Sequence, residues 1–155
     1  MPVQVIPVET RRDLKRFIYL PAELHRDHPK WLPPIYMDEW KYYDPKKNLA
    51  FRYSDATLVL AEKDGRLVGR AMGIVNRRHN QMMQERTARF ACLESTDDRE
   101  VCHALLAHVE GWARERGMTN LVGRRSVAYW DSSLNSQLHQ QNRCWSSDRV
   151  TGDSP

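Results

Sequence analysis

The stretch that most constrains this chain is Thr57 to Asn76, TLVLAEKDGRLVGRAMGIVN. Thr57-Leu58-Val59-Leu60-Ala61 is a short apolar run that suits a strand covered on both faces. Asp64-Gly65 fits a two-residue type I′ turn, whose central positions both need positive φ. The return strand starts at Arg66 and runs to Val75. Gly69 and Gly73 share one of its faces, where missing side chains allow a bulge or a close neighbour. The hairpin predicts local structure and says nothing about chemistry.

With 155 residues, a single domain with a core of useful size is expected. Charged residues at 28% and hydrophobic ones at 41% describe an ordinary globular chain. No apolar run reaches about 18 residues, so no membrane span and no membrane partner are expected. The N-terminal MPVQVIPVETRRDLKRF lacks a cationic leader with an apolar h-region, which argues against secretion. Cys92, Cys102 and Cys144 are odd in number and lack CxxC spacing, against both a disulfide framework and a zinc site. A reducing cytoplasm fits these features. The net charge of +4 is spread as an excess of two over residues 1–56, one over 57–123 and one over 124–155. Phosphate-backbone binding needs a clustered basic face, so nucleic acid is not expected as a partner. Arg77-Arg78-His79 and Arg124-Arg125, the compact basic spots, read as solvated surface.

Along the chain, Gln4 to Val8 predicts a first strand, and Thr10-Arg11-Arg12-Asp13 an N-cap with an acid three residues on. Leu14, Phe17 and Ile18 share a helical face; Pro21 is expected to interrupt, with a second short turn from Ala22 to Asp27. Pro33-Pro34 enforces an extended course, Met37 to Tyr43 reads as helical, and Asp44-Pro45 ends it. Trp31, Tyr36, Trp40, Tyr42, Tyr43, Phe51 and Tyr53 crowd into 23 positions. Such rings either pack an irregular segment onto a sheet or form a platform for bases or sugars. Arg77 to Glu85 reads as polar loop, and Arg86 to Glu94 as a third meander strand. Val101, Leu105, Val109 and Trp112 mark an amphipathic helix with Gly117 as its C-terminal glycine, followed by a strand over Met118 to Gly123. A strand–helix–strand unit of this length makes the last strand parallel and the sheet mixed. The expected class is α/β, with a central antiparallel meander and a β-α-β unit over residues 1–123. Residues 124–155, with seven serines and neither Lys nor Glu, read as an irregular or disordered polar tail, a composition that a shifted reading frame would also give.

No P-loop, GxGxxG, HExxH, GxSxG or kinase signature is present. His25 and His28 lack a third ligand and read as surface or helix-end residues; His103 and His108 fall on different helix faces. No metal is expected. Cys102 beside His103 is no nucleophile–base pair by adjacency, and Cys92 reads as a small core residue.

The element order, with His28-Pro29-Lys30-Trp31-Leu32-Pro33-Pro34, Asn48-Leu49-Ala50-Phe51, Asp64 to Arg70, His79-Asn80 and Trp112 to Met118, resembles the GNAT N-acetyltransferase superfamily, in an uncharacterised branch. The resemblance covers roughly residues 3–123 and leaves the C-terminal part of that fold incomplete. It implies an acyl-CoA-dependent N-acyltransferase, active or impaired, moving an acetyl group to an amine. The co-substrate would be acetyl-CoA or another acyl-CoA. The backbone of Phe90, Ala91, Cys92 and Leu93 would meet the pantetheine arm, and Asp98, Arg99 and Glu100 the pyrophosphate at a helix N-terminus. Glu94 would be the catalytic base, or else a helix-capping or solvated residue. Tyr129 lies where the superfamily commonly has its acid, without matching surroundings. Leu93 to Glu100 holds no glycine and four carboxylates, which would cap the helix themselves and repel phosphate; Arg99 alone helps. The alternative is a non-catalytic binding or dimerisation module on the same scaffold, using the aromatic N-terminal region; pairing with a second copy, as a homodimer, would be one way to cover the open sheet edge.

Overall fold

The computed structural model describes residues 2–123. The tail expected over residues 124–155, with Tyr129, lies outside the described residues. The elements are β1 (Gln4–Pro7), α1 (Arg11–Leu24), α2 (Tyr36–Tyr42), a 3-10 turn (Leu49–Arg52), β2 (Ser54–Lys63), β3 (Arg66–Asn76), α3 (Arg77–Met83), β4 (Thr87–Ser95), α4 (Arg99–Glu115) and β5 (Asn120–Gly123). They form one five-stranded sheet in the order β1-β2-β3-β4-β5. The first four strands are antiparallel neighbours, and β5 pairs parallel to β4, from Thr87 with Asn120 to Phe90 with Gly123. The mixed sheet with a central meander and a β-α-β unit is therefore present.

The hairpin closes as its sequence predicts. Asp64 and Gly65 have φ of 53° and 73°, both positive as a type I′ turn requires. Gly69 and Gly73 face α4. A Cβ on Gly69 would lie 2.9 Å from Leu105 and 3.0 Å from the Glu94 carbonyl; on Gly73 it would lie 2.9 Å from Val109. The two glycines let α4 sit directly on β3. Val59, Ala61, Ala71, Leu93, Val101, Cys102, Leu105 and Val109 form the apolar layer there.

On the opposite face Phe17, Ile18, Leu20 and Tyr43 pack against Leu60 and Met72. Helix α1 starts with a capping box: Thr10 Oγ1 accepts from the Asp13 amide at 3.1 Å, and Asp13 Oδ2 accepts from the Thr10 amide at 3.1 Å. Two expectations need correction. Pro21 does not interrupt α1, which continues to Leu24. A proline lacks the N–H that would bond the carbonyl four residues back, and that carbonyl, Phe17 O, instead accepts from Arg70 Nη1 at 2.8 Å. Arg77 to Glu85 is not loop either. Its first seven residues form α3, capped by Asn76, whose side chain accepts from the His79 amide at 2.9 Å. Buried Asn80 donates to Thr87 O at 3.0 Å and ties α3 to the start of β4.

Candidate functional site

The site grows from an irregularity in β4. In its register with β3, Met72 pairs with Ala91 and Arg70 with Glu94, so Cys92 and Leu93 stand opposite the single Ala71. Cys92 has φ of 53°, outside the extended range of the rest of the strand. Such a bulge turns side chains that would otherwise alternate. Ala91 and Cys92 both go to the α1 side, Leu93 to the α4 side, and Glu94 back to the α1 side.

Beneath the bulge is a buried polar cluster. Arg70 Nε donates to Glu94 Oε2 at 3.0 Å, and His25 Nε2 lies 3.7 Å from Glu94 Oε1. All three residues are under one tenth exposed. Burial alone would raise the Glu94 pKa, but Arg70 and then His25 outweigh it and hold the carboxyl below its ordinary range. Burial also opposes the Arg70 charge, and Glu94 restores it. The helix-capping or solvated role expected as an alternative for Glu94 is thereby corrected. It is an ionised carboxylate inside the protein, in contact with β3 and the end of α1.

His25, read from sequence as a surface or helix-end residue, does end α1, but it is buried there. Its ring stacks on Trp31 with centroids 5.9 Å apart. His25 Nε2 and Trp31 Nε1 are buried without a hydrogen-bond partner. Orphaned buried polar atoms are uncommon in folded proteins. On the other side of Arg70, the Tyr43 hydroxyl and Cys92 Sγ are 3.2 Å apart. Burial raises both pKa values, so Cys92 is a neutral thiol and not an activated nucleophile. Glu39 on α2 is raised as well, chiefly by burial.

The residues at the start of α4 form a second group. Asp98 is the N-cap, its carboxylate accepting from the Glu100 amide at 2.9 Å. Lys63, at the end of β2, reaches across to Asp98 and Glu100, 2.8 Å from each carboxylate. These bonds raise the Lys63 pKa and lower that of Asp98. The acids read from sequence as repelling are thus bridged by a cation from another strand. Arg99 Nε meets His103 one turn along at 3.3 Å. Phe90 packs on the α4 side of the sheet, beside Gly123. The fold therefore brings Phe90 to Glu94 together along one strand, and Asp98 to Glu100 together on the next helix.

This arrangement of strands, bulge and crossing helix is a GNAT-like fold. It superposes with a TM-score of 0.59 on a tandem GNAT protein from the clavulanic acid biosynthesis pathway, at 18% identity over 90% of this chain and 43% of that one. With AAC(6')-Iy, solved in complex with the bisubstrate analogue CoA-S-monomethyl-acetylneamine, the TM-score is 0.54 at 14% identity, covering 100% of this chain and 99% of the other. At these identities the structures establish the fold alone. In sequence, 122 residues are 37% identical to the bacterial ceramide synthase of Caulobacter vibrioides, and 117 residues are 28% identical to protein YghO of Escherichia coli. These stretches are 78% and 76% of this chain, but the chain spans only about a third of the length of these relatives, 32% and 30%. No family model matches the chain.

Proposed function

We propose that this chain carries the acyl-donor side of an N-acyltransferase, which moves an acyl group from acyl-CoA to an amine. The observation that carries this reading is the bulge of β4 directly above a buried, ionised carboxylate. A bulge re-aims backbone groups out of the ladder. The backbone from Phe90 to Leu93 would there meet the pantetheine arm and the thioester carbonyl. Asp98, Arg99 and Glu100 would lie nearest the pyrophosphate, with Lys63 offsetting the two acids. Glu94 would orient the acceptor, which reacts as its free amine once its ammonium form has given one proton to solvent. As nitrogen attacks the thioester carbonyl, the C–N bond forms and the C–S bond breaks. The amine proton passes to the Glu94–His25 pair and then to the leaving thiolate. Ceramide is the amide of a fatty acid and a long-chain amino alcohol, so similarity to a ceramide synthase supports amide formation and favours a lipid amine as acceptor.

The reading is tested by following thiol release from palmitoyl-CoA in the presence of sphinganine, alongside calorimetry with acetyl-CoA and palmitoyl-CoA. Turnover is expected to fall about 100-fold in Glu94→Gln, and by a similar factor in His25→Gln. The absence of both heat and thiol release with the wild-type chain would sink the enzyme reading. One observation favours the alternative of a non-catalytic module: the Asp98 carboxylate already occupies the Glu100 amide that a pyrophosphate would seek. That alternative expects no heat with either acyl-CoA at millimolar concentration.

A further inference from the structure

We infer that the stretch from Lys30 to Tyr53 is a docking surface for anionic lipid bilayers. Six of the nine large hydrophobic residues exposed among the described residues fall within it: Leu32 (71%), Ile35 (66%), Met37 (65%), Leu49 (59%), Tyr42 and Tyr53. Their exposure follows from the local chemistry. Pro33-Pro34 holds the chain extended between exposed Leu32 and Ile35. The inner side of α2 is already engaged with α1, since Tyr36 stacks on Tyr19 at 4.4 Å and Trp40 Nε1 donates to the Tyr19 hydroxyl at 3.5 Å. The following turn is tied to the same segment, because Asn48 Nδ2 donates to Tyr42 O at 2.7 Å.

Charge selects the occupant. Lys30, Lys41, Lys46 and Arg52 are all exposed without an ion pair among the described residues, and they outnumber the acids of the stretch, exposed Asp38, half-buried Glu39, and Asp44, which is paired with Lys47. Exposed apolar side chains set among aromatic rings and unpaired cations match the headgroup boundary of an anionic bilayer. There the alkyl parts enter the acyl region and the cations stay with phosphate. A second copy of the chain is a poorer match, because a two-fold contact would bring the same cations face to face. Among the described residues no helix is long and apolar enough to cross a membrane, and an interfacial contact needs none. The inference is independent of the transfer reaction proposed above.

The test is flotation of the 155-residue chain with phosphatidylcholine vesicles containing about one third phosphatidylglycerol, at low salt. The chain is expected to float with them. Omitting phosphatidylglycerol or raising salt to about 0.5 M should cut the bound fraction at least threefold or so. The triple variant L32S/I35S/M37S, changed at exposed positions, should bind about tenfold less while melting as the wild type does. A wild-type chain that stays in the aqueous fraction overturns the inference. So does a dimer that the triple variant disperses while neither protein binds vesicles, which would make a second copy the occupant. Flotation needs no turnover, so its failure leaves the N-acyltransferase reading standing, and absent thiol release leaves vesicle binding to be judged separately.

Discussion

The two faces of the sheet are built on different principles. Toward α4 the layer is apolar and close. Gly69 and Gly73 remove side chains so that Leu105, Val109 and Trp112 reach the strand. Toward α1 and α2 an equally buried layer encloses Arg70, Glu94 and His25. The first face needs only shape, and volume decides what it tolerates. The second holds charges that water would solvate better, and such charges persist inside only when each has its partner. Scaffolding and chemistry are thus separated by the thickness of one strand, with the bulge at Cys92 steering Glu94 to the chemical side.

Substitutions that treat the two faces alike should break this comparison. The largest effect is expected for Arg70→Met, which removes the hydrogen-bonded partner of buried Glu94 and leaves the Phe17 carbonyl without its donor, and should cost about 3–5 kcal/mol in urea denaturation. Removing both charges in R70M/E94L should recover part of that loss, the Phe17 carbonyl still lacking its donor; equal instability of the single and double variants would show the pair to be incidental. Gly69→Val tests the other face. Its Cβ would meet the Glu94 carbonyl, which cannot rotate away, and a cost of about 2–3 kcal/mol is expected. Acid titration should separate the faces further. Because the folded-state pKa of Glu94 lies below its ordinary 4.5, its stabilising contribution is complete above that value and is lost as pH falls through the folded-state pKa. Wild type should therefore lose stability more steeply below about pH 4.5 than Glu94→Gln, whereas Gly69→Val should keep the wild-type slope. The smallest effect is Thr10→Ala, which opens the capping box away from both layers and should cost about 1 kcal/mol.

How much of this could be read from the chain alone depended on the range of the forces involved. The Asp64-Gly65 turn, the Thr10 cap and the strand–helix–strand order rest on local chemistry, and all are present in the structure. The placement of Gly69 and Gly73 against a neighbour followed from their shared face. The polar cluster was invisible because its members come from α1, β3 and β4, and no spacing within one element links His25, Arg70 and Glu94. One clue was present: Arg70 is a charge on the covered face of an apolar strand, where only a buried partner makes it tolerable. Helix α3 was missed because seven residues with one buried side chain, Asn80, show almost no apolar period. Its cap and its bond to Thr87 O hold it instead.

Pro21 shows how a missing donor can specify tertiary structure. Every interior carbonyl of a helix has an amide waiting for it four residues on, so none is available to the rest of the protein. Proline cancels one such amide and leaves the Phe17 carbonyl vacant in the core, where a vacancy must be filled. The guanidinium of Arg70 fills it and is thereby fixed in orientation before it reaches Glu94. A residue that a helix tolerates poorly is in this way an address label, written in α1 and read by β3.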